Sequence, residues 1–300
     1  MDISVIIPVY NSEKGLKGTL ESLSKLTYPR EGLEIVIVDN NSSDRTLEAA
    51  KSYQEKYPDL IKILTENEIQ SSYAARNKGV KNSTGNIIVF LDADMTVEPD
   101  FLEKVEGFIK KHDSSYVGLD LEVRASKPEN IFEKYSKYEF PVRDFIENRH
   151  YAPTACLAVK RDVFEKLGYF DERLMSGGDY EFGNRVFTSG IKLYFAPSVK
   201  IFHPARSSFV SLTKKYFRVG RGKARLHLYT PELRIIRTSP YPSYKIHSMV
   251  RDFISSVKEW KNMSLLEKAG FLFIYFSLAA IARIGYTIEY FKMRLSPGRT

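Results

Sequence analysis

The sequence predicts an α/β fold, with helices flanking a sheet and a basic helical extension behind it. Apolar runs recur at residues 3–9, 34–38, 60–64 and 87–91, and stretches of helical character separate them. Each run suits a buried strand and is too short for an independent helix. Strands alternating with helices imply a parallel sheet with right-handed crossovers over about the first hundred residues. Charge carries the other half of the reading. Residues 1–205 hold 27 Lys and Arg against 32 Asp and Glu, net −5, whereas residues 206–300 hold 18 against 5, net +13. The expected division is therefore 1–205 and 206–300.

The first run is broken at its end by Pro8, and Asn11 or Ser12 offers a cap for a helix to about Leu26. The second ends in Asp39, and the turn and cap residues from Asn40 to Asp44 open a helix through about Tyr57. Residues 73–80 read as a helix before a turn at Gly85, and Pro99 is placed to start another in its first turn. Between these lies NIIVFLDAD, residues 86–94, a strand that delivers Asp92 and Asp94 to its carboxyl end. In an open α/β sheet that edge is where ligands bind, because helices cover both faces. One residue of spacing in an extended chain puts both carboxylates on one side, where hard oxygens can share a divalent cation. An acidic surface turn is the plainer alternative.

Three hundred residues with 43% hydrophobic content can bury a full core, as one large domain or a domain with an appendage. The single cysteine, Cys156, lies in the apolar run 155–159; it excludes an intramolecular disulfide framework, fits a reducing compartment and reads as a buried thiol. The chain enters a strand-like run at once, with no leader pattern, so secretion is not expected. The turn after the first strand, PVYNSEKG, has neither Gly-x-Gly-x-x-Gly nor Gly-x-x-x-x-Gly-Lys-Ser/Thr. Phosphates bound here would need a metal and basic side chains, with the Asp pair for the first and Arg76 a candidate for the second.

VIIPVYN at 5–11, IVIVDNNSSDRT at 35–46, ARNKG at 75–79 and VFLDAD at 89–94, in that order, resemble the family 2 glycosyltransferases. GYFDE at 168–172, GGDYE at 177–181 and His203 extend the resemblance over roughly the first 205 residues. It implies the GT-A fold, a nucleotide-binding mixed sheet, and an inverting transfer from a nucleotide-sugar donor, with UDP favoured. Pro8, Tyr10 and Glu13 match positions lining the nucleoside pocket, with Glu13 accepting from ribose hydroxyls. Asp39 matches a carboxylate that accepts from the edge of uracil, and Arg76 would pair with diphosphate; a surface ion pair is its other use. Ser42 and Asp44 cap the following helix, with or without touching ligand.

The leaving diphosphate carries growing negative charge, which a divalent metal, Mn or Mg, stabilises without a proton. Asp94 is the expected direct ligand, with Asp92 assisting through the sugar or a metal-bound water. His203 resembles a position that closes over the metal, and imidazole tilts the choice toward Mn; a structural hydrogen-bonding role is its alternative. Asp179, near the start of a helix ending at Gly190 with Val186 and Phe187 on its packed side, is the expected catalytic base, kept ionised by the helix dipole. The family pattern is Glu-Asp, and this chain has Gly178-Asp179. That leaves Glu181 as the carboxylate to be recruited.

Residues 206–231 contain no acid, and KKYFRVGRGKAR at 214–225 packs six basic residues around Gly220 and Gly222. A flap gripping diphosphate or lipid phosphate is expected, against a solvated basic helix. AGFLFIYFSLAAIA at 269–282 is fourteen residues without charge. That is short of the roughly twenty needed to span a bilayer, and it fits an interfacial helix; packing on the protein, or on a second copy in a homo-oligomer, is the alternative. A cytoplasmic protein, peripheral on the inner face of the membrane and acting on a glycan or lipid-linked acceptor, follows as the expectation. No nucleic-acid module accompanies the basic charge. Two rival functions use the same strand. A haloacid-dehalogenase-like phosphatase would use Asp92 and Asp94, but three strands precede the pair and Gly183 stands where its closing acid belongs. A non-catalytic sugar-nucleotide binder would need no base.

Overall fold

The computed structural model describes residues 2–231, 233, 250–251, 253–255, 257 and 259–295. Part of the 206–300 extension, residues 234–249 included, lies outside the described residues. The chain forms two compact units. Met1–Glu122, Pro141–Arg173 and Gly178–Pro204 make the first; Val123–Phe140, Leu174–Gly177 and Ala205–Thr300 make the second.

The first unit is built on a mixed sheet. Its strands are β1 Ile3–Val9, β2 Leu33–Asp39, β3 Ile61–Thr65, β4 Ile87–Leu91, β5 Thr96–Val97, β6 Tyr116–Arg124, β7 Cys156–Lys160 and β8 Leu193–Pro204. They lie in the order β3-β2-β1-β4-β7-β6-β8-β5. The four expected strands are parallel neighbours, and β7 then runs antiparallel to β4 and to β6. Every residue of β1 and β4 is buried, as strands covered on both faces require. Strand order reverses at β1, with β2 and β3 on one side and β4 on the other. The β1–β4 ladder runs only from Ile3 to Ile6, whereas the β1–β2 register continues through Val9. Pro8, which has no N–H, therefore costs the β4 ladder nothing.

Helices α1 Glu13–Leu23, α2 Thr46–Lys56, α3 Ser72–Lys81, α4 Phe101–His112, α6 Val142–Arg149, α7 Arg161–Leu167 and α8 Gly178–Thr188 belong to this unit; α5 Ile131–Ser136 belongs to the second. Helix α1 buries Leu16, Leu20 and Leu23 along one stripe and ends before Leu26. Helix α2 starts at Thr46, later than its cap residues suggested, because Ser42 and Ser43 serve the neighbouring loop. The Asn11 N–H donates to Ser42 Oγ at 2.9 Å, and the Ser43 N–H donates to Asn11 Oδ1 at 2.7 Å. Asn11 itself adopts φ 46°, a left-handed conformation that Asn tolerates. Pro99 does not begin α4; its carbonyl accepts from the Thr27 N–H and hydroxyl, and the helix starts at Phe101. Cys156 is buried in β7, where burial pushes its thiol well up. Val186 is buried, but Phe187 is exposed and stacks on His150 with ring centroids 3.7 Å apart.

In the second unit, α9 Phe209–Tyr229 packs along α10 Leu265–Leu295. Tyr135, Leu212, Phe253, Val257, Phe271, Ile274 and Leu278 form its core. At the crossing, a Cβ on Gly220 would lie 1.9 Å from the Ala282 carbonyl oxygen, and one on Gly285 2.4 Å from that of Phe217. Beside it Glu289, 1% exposed, accepts from Arg221 at 2.7 Å and Arg225 at 2.6 Å. Ser264 and Glu267 cap α10 reciprocally, and the Lys134 ammonium bonded to Glu267 helps hold that carboxyl down to about 2. Helix α10 is 31 residues long, continuing well past the uncharged segment at 269–282. By length and composition alone it is the one helix among the described residues that could cross a membrane.

Candidate active site

The expected residues gather at one edge of the first unit, the carboxyl ends of β1, β2 and β4. Pro8 is buried in β1, and Tyr10, just beyond it, is 54% exposed. Glu13 opens α1 and is engaged by Lys17 at 2.8 Å and Arg45 at 3.4 Å; the Lys17 hydrogen bond is the main cause holding its carboxyl below the ordinary value. Gly15, which the sequence did not single out, lets the first turn of α1 approach the strand end. A Cβ there would lie 2.6 Å from the Ala93 carbonyl oxygen and 3.1 Å from the Asp94 Cβ.

Asp39 terminates β2 and is buried. Its Oδ2 accepts the Ser42 N–H at 3.1 Å, whereas its Oδ1 is buried without a hydrogen-bond partner among the described residues. A buried acceptor left open costs free energy unless something fills it. Asn40 next to it is fully committed as a donor, its Nδ2 giving to the carbonyls of Glu66 and Ile69, both at 2.9 Å.

Arg76 is buried on α3 and donates from Nη2 to Asp92 Oδ1 at 2.6 Å. It therefore meets a strand-end carboxylate, an ion-pair partner that its spacing in the sequence did not reveal. After β4 the chain turns, with the Met95 N–H donating to the Asp92 carbonyl at 3.2 Å, and enters β5. Strand β5 pairs antiparallel with β8, Thr96 opposite Phe202, which brings His203 to the turn. His203 Nε2 and Asp94 Oδ2 are 3.8 Å apart.

These two donors form a corner. Among the described residues no group of three or more His, Cys, Asp or Glu lies close enough to enclose a cation. A carboxylate and an imidazole are donor types that a divalent ion such as Mn accepts.

Asp179 sits in the first turn of α8. Its Oδ1 accepts the Tyr180 N–H at 2.9 Å and faces the Tyr73 hydroxyl at 3.4 Å. Burial pushes its pKa above the ordinary carboxylate value. The Tyr180 N–H, the positive charge of Arg76, its own backbone N–H and the Tyr73 hydroxyl pull the other way without cancelling it. The backbone donors at the helix start favour the anion, as the sequence suggests, but desolvation outweighs them and the net shift is upward. Glu181 is not free for recruitment: it is 8% exposed and both its oxygens are bound by Arg185 at 2.8 Å.

A mixed sheet whose order reverses at β1, with polar groups clustered at the strand ends, defines a nucleotide-binding class of α/β protein. Residues 4–168 match the family model Glycosyl transferase family 2, and residues 87–289 match Glycosyl transferase family group 2. The chain belongs to glycosyltransferase family 2. It is 38% identical over 222 residues to the glycosyltransferase AglE of Haloferax volcanii, covering 74% of this chain and 72% of that one. It is 30% identical over 234 residues to a dolichyl N-acetyl-alpha-D-glucosaminyl phosphate 3-beta-D-2,3-diacetamido-2,3-dideoxy-beta-D-glucuronosyltransferase of Methanococcus voltae, with the same coverages of 74% and 72%. Among solved structures, the mannosyltransferase PcManGT of Pyrobaculum calidifontis, in complex with GDP-Man and Mn2+, aligns with TM-score 0.61 at 19% identity. That alignment covers 99% of this chain and 88% of that one. Residues 1–349 of TarS from S. aureus, in complex with UDP-GlcNAc, align with TM-score 0.55 at 18% identity, covering 98% and 92%. The fold is GT-A, and the protein is a glycosyltransferase. The phosphatase and non-catalytic readings of the Asp pair fall with that membership.

Proposed function

We propose that this enzyme is an inverting, metal-dependent transferase that moves a sugar from a nucleotide-sugar donor, UDP-linked by preference, to a glycan or lipid-linked acceptor. The observation that carries the reading is one face of α3, where Arg76 bonds Asp92 and Tyr73 reaches Asp179, joining a strand-end carboxylate to the one at the start of α8. The relative from Methanococcus voltae is named for a dolichyl-phosphate-linked acceptor, which supports the acceptor class, and the TarS complex holds a UDP-sugar, which supports the donor.

In this reading Pro8, Tyr10 and Glu13 line the nucleoside side, and the open Oδ1 of Asp39 takes the base-edge N–H. Arg76 holds Asp92 toward the sugar and lends positive charge to the diphosphate. Asp94 and His203 would hold a divalent ion, Mn by donor preference, which when bound neutralises charge on the leaving diphosphate. Asp179 takes the proton of the acceptor hydroxyl as that oxygen bonds the anomeric carbon. The bond to the diphosphate oxygen breaks on the opposite face, and its electron pair leaves with the diphosphate. A carboxylate with a raised pKa is a stronger base than an ordinary one, and it must be ionised to act, so transfer is lost as pH falls through that raised value.

The first unit carries the catalytic residues of the 1–205 domain, and 206–300 provides contact with a membrane surface, on the cytoplasmic side where nucleotide sugars are available. Nucleotide-sugar panels with Mn or Mg, read as nucleoside diphosphate release, test the assignment. Turnover of at least one donor is expected, with Asp179→Asn keeping donor affinity and losing about 10²- to 10⁴-fold in transfer. Cleavage of phosphate esters with no donor turned over would sink it.

A further inference from the structure

Gly178 leaves room at the start of α8, and something else fills it. A Cβ built on Gly178 would lie 2.9 Å from Cε2 and Cζ and 3.0 Å from Cδ2 of the Tyr73 ring. Ring carbons held in a packed environment do not yield that distance cheaply. The same tyrosine is fixed on its other sides: its ring packs on Phe170 with centroids 5.7 Å apart, and the Arg76 guanidinium lies 5.7 Å over it. Its backbone N–H donates to Ser71 Oγ at 3.2 Å in the cap of α3. Four residues along α3, Asn77 accepts the Phe170 N–H at 3.1 Å and donates to the Phe170 carbonyl at 2.9 Å, which anchors the segment leading to α8. From this locked ring the hydroxyl makes two contacts with Asp179: it donates to Oδ1 at 3.4 Å, and its oxygen accepts the Asp179 N–H at 3.4 Å.

We infer that Tyr73 is the positioning residue for Asp179: its hydroxyl holds the carboxylate that receives the acceptor proton, and its ring takes the space that a side chain at 178 would need. The inference rests on the assignment of Asp179 as the base. It also explains why Gly178 and Tyr73 belong together. A larger residue at 178 and a tyrosine at 73 exclude each other, while glycine allows the phenol to reach the helix start. The hydroxyl keeps its own proton throughout, and Asp179 alone changes protonation in the transfer. Arg76, one turn further on α3, ties this arrangement to Asp92, so a single helix face sets both carboxylates.

The groups facing Asp179 are Tyr73 and Arg76 from α3, Tyr116 from β6, Tyr151 ahead of β7, Cys156 from β7 and Tyr180 on its own helix. Among them Tyr73 supplies a side-chain hydrogen bond that favours the anion. Tyr73→Phe keeps the ring and removes only that donor. The expected result is a kcat lowered by about tenfold at neutral pH, the loss of one hydrogen bond to a charged group. Donor KM should be unchanged, and the acid limb of the kcat profile should move to higher pH. In an Asp179→Asn background, Tyr73→Phe should bring no further loss, because the two act as a unit. The steric half is tested at the other partner: Gly178→Ala should lower kcat in the wild-type background and change little once Tyr73→Ala has removed the ring.

Tyr73→Phe with unaltered kcat and an unmoved acid limb, in a protein whose Asp179→Asn variant is inactive, overturns the role of Tyr73 and leaves the base in place. Asp179→Asn with full transfer overturns the base assignment itself. Equal losses from Tyr73→Phe with and without Asp179 would make the tyrosine a packing residue only.

Discussion

Asp39 shows how much one side chain can carry: of its two buried oxygens, the Ser42 N–H occupies one and the other faces no donor among the described residues. Desolvated acceptors persist where a ligand completes them, so Asp39→Asn should act on binding before it acts on chemistry. It presents an amide where a donor N–H arrives, and UDP affinity measured by calorimetry should fall by about 10- to 100-fold, or roughly 1.4–3 kcal/mol. An unchanged Kd would show that the open oxygen serves no nucleoside. At this scale the sequence was readable wherever chemistry and strand position coincide. Asp39, Asp92 and Asp94 each follow an apolar run that ends abruptly, so their place at the sheet edge could be read directly. The partners could not. Arg76 lies sixteen residues from Asp92 and Tyr73 lies 106 from Asp179. No periodicity connects such pairs; only the crossover geometry of the sheet does. Gly15 escaped for the same reason, since its need for a bare backbone arises from the turn at Ala93.

Elements with strong local signals fell where they were expected, and those held by tertiary contacts did not. The four parallel strands are continuous apolar runs, which a doubly covered sheet dictates. Strand β5 has two residues, Thr96 and Val97, and exists because β8 pairs with it, so nothing in its own composition marks it. The pairing matters because it carries His203 to Asp94. Helix α10 runs past both Lys268 and Arg283, the charges that bound its uncharged segment, because a charged side chain that reaches solvent does not end a helix. Glycines give the sharpest test at this scale. Gly107 in α4 has nothing within 4 Å of its absent Cβ, whereas Gly220 faces the Ala282 carbonyl. Helical glycine costs about 1 kcal/mol relative to alanine. Gly107→Ala should therefore raise the thermal midpoint slightly, while Gly220→Ala should lower it through about 1–3 kcal/mol of overpacking. Scanning fluorimetry of both variants decides the matter, and equal shifts of one sign would refute the close helix contact.

For the molecule as a whole, the uneven charge needs an explanation that the catalytic edge does not provide. The excess of +13 in residues 206–300 accompanies a helix whose buried stripe of Phe271, Ile274, Leu278 and Ala282 is matched by an exposed one of Phe273, Phe276, Ile284, Ile288 and Phe291. Both stripes follow helical spacing, so the exposed one is a second apolar face rather than scattered residues. Apolar area next to basic residues is what an anionic bilayer surface attracts, each Lys or Arg near it adding about 1 kcal/mol at low salt. The full-length protein should therefore sediment with vesicles containing anionic lipid, weakly with neutral ones, and less as salt rises. Replacing Phe273, Phe276 and Ile284 by Ser removes apolar area from the exposed stripe and leaves the buried stripe untouched. Vesicle affinity should drop at least about tenfold, the loss expected for even one exposed apolar side chain, while donor hydrolysis in solution stays as it was. Should the wild-type protein ignore vesicles and instead run as a dimer that the same three substitutions dissociate, the face belongs to a second copy of the chain and the bilayer assignment is wrong.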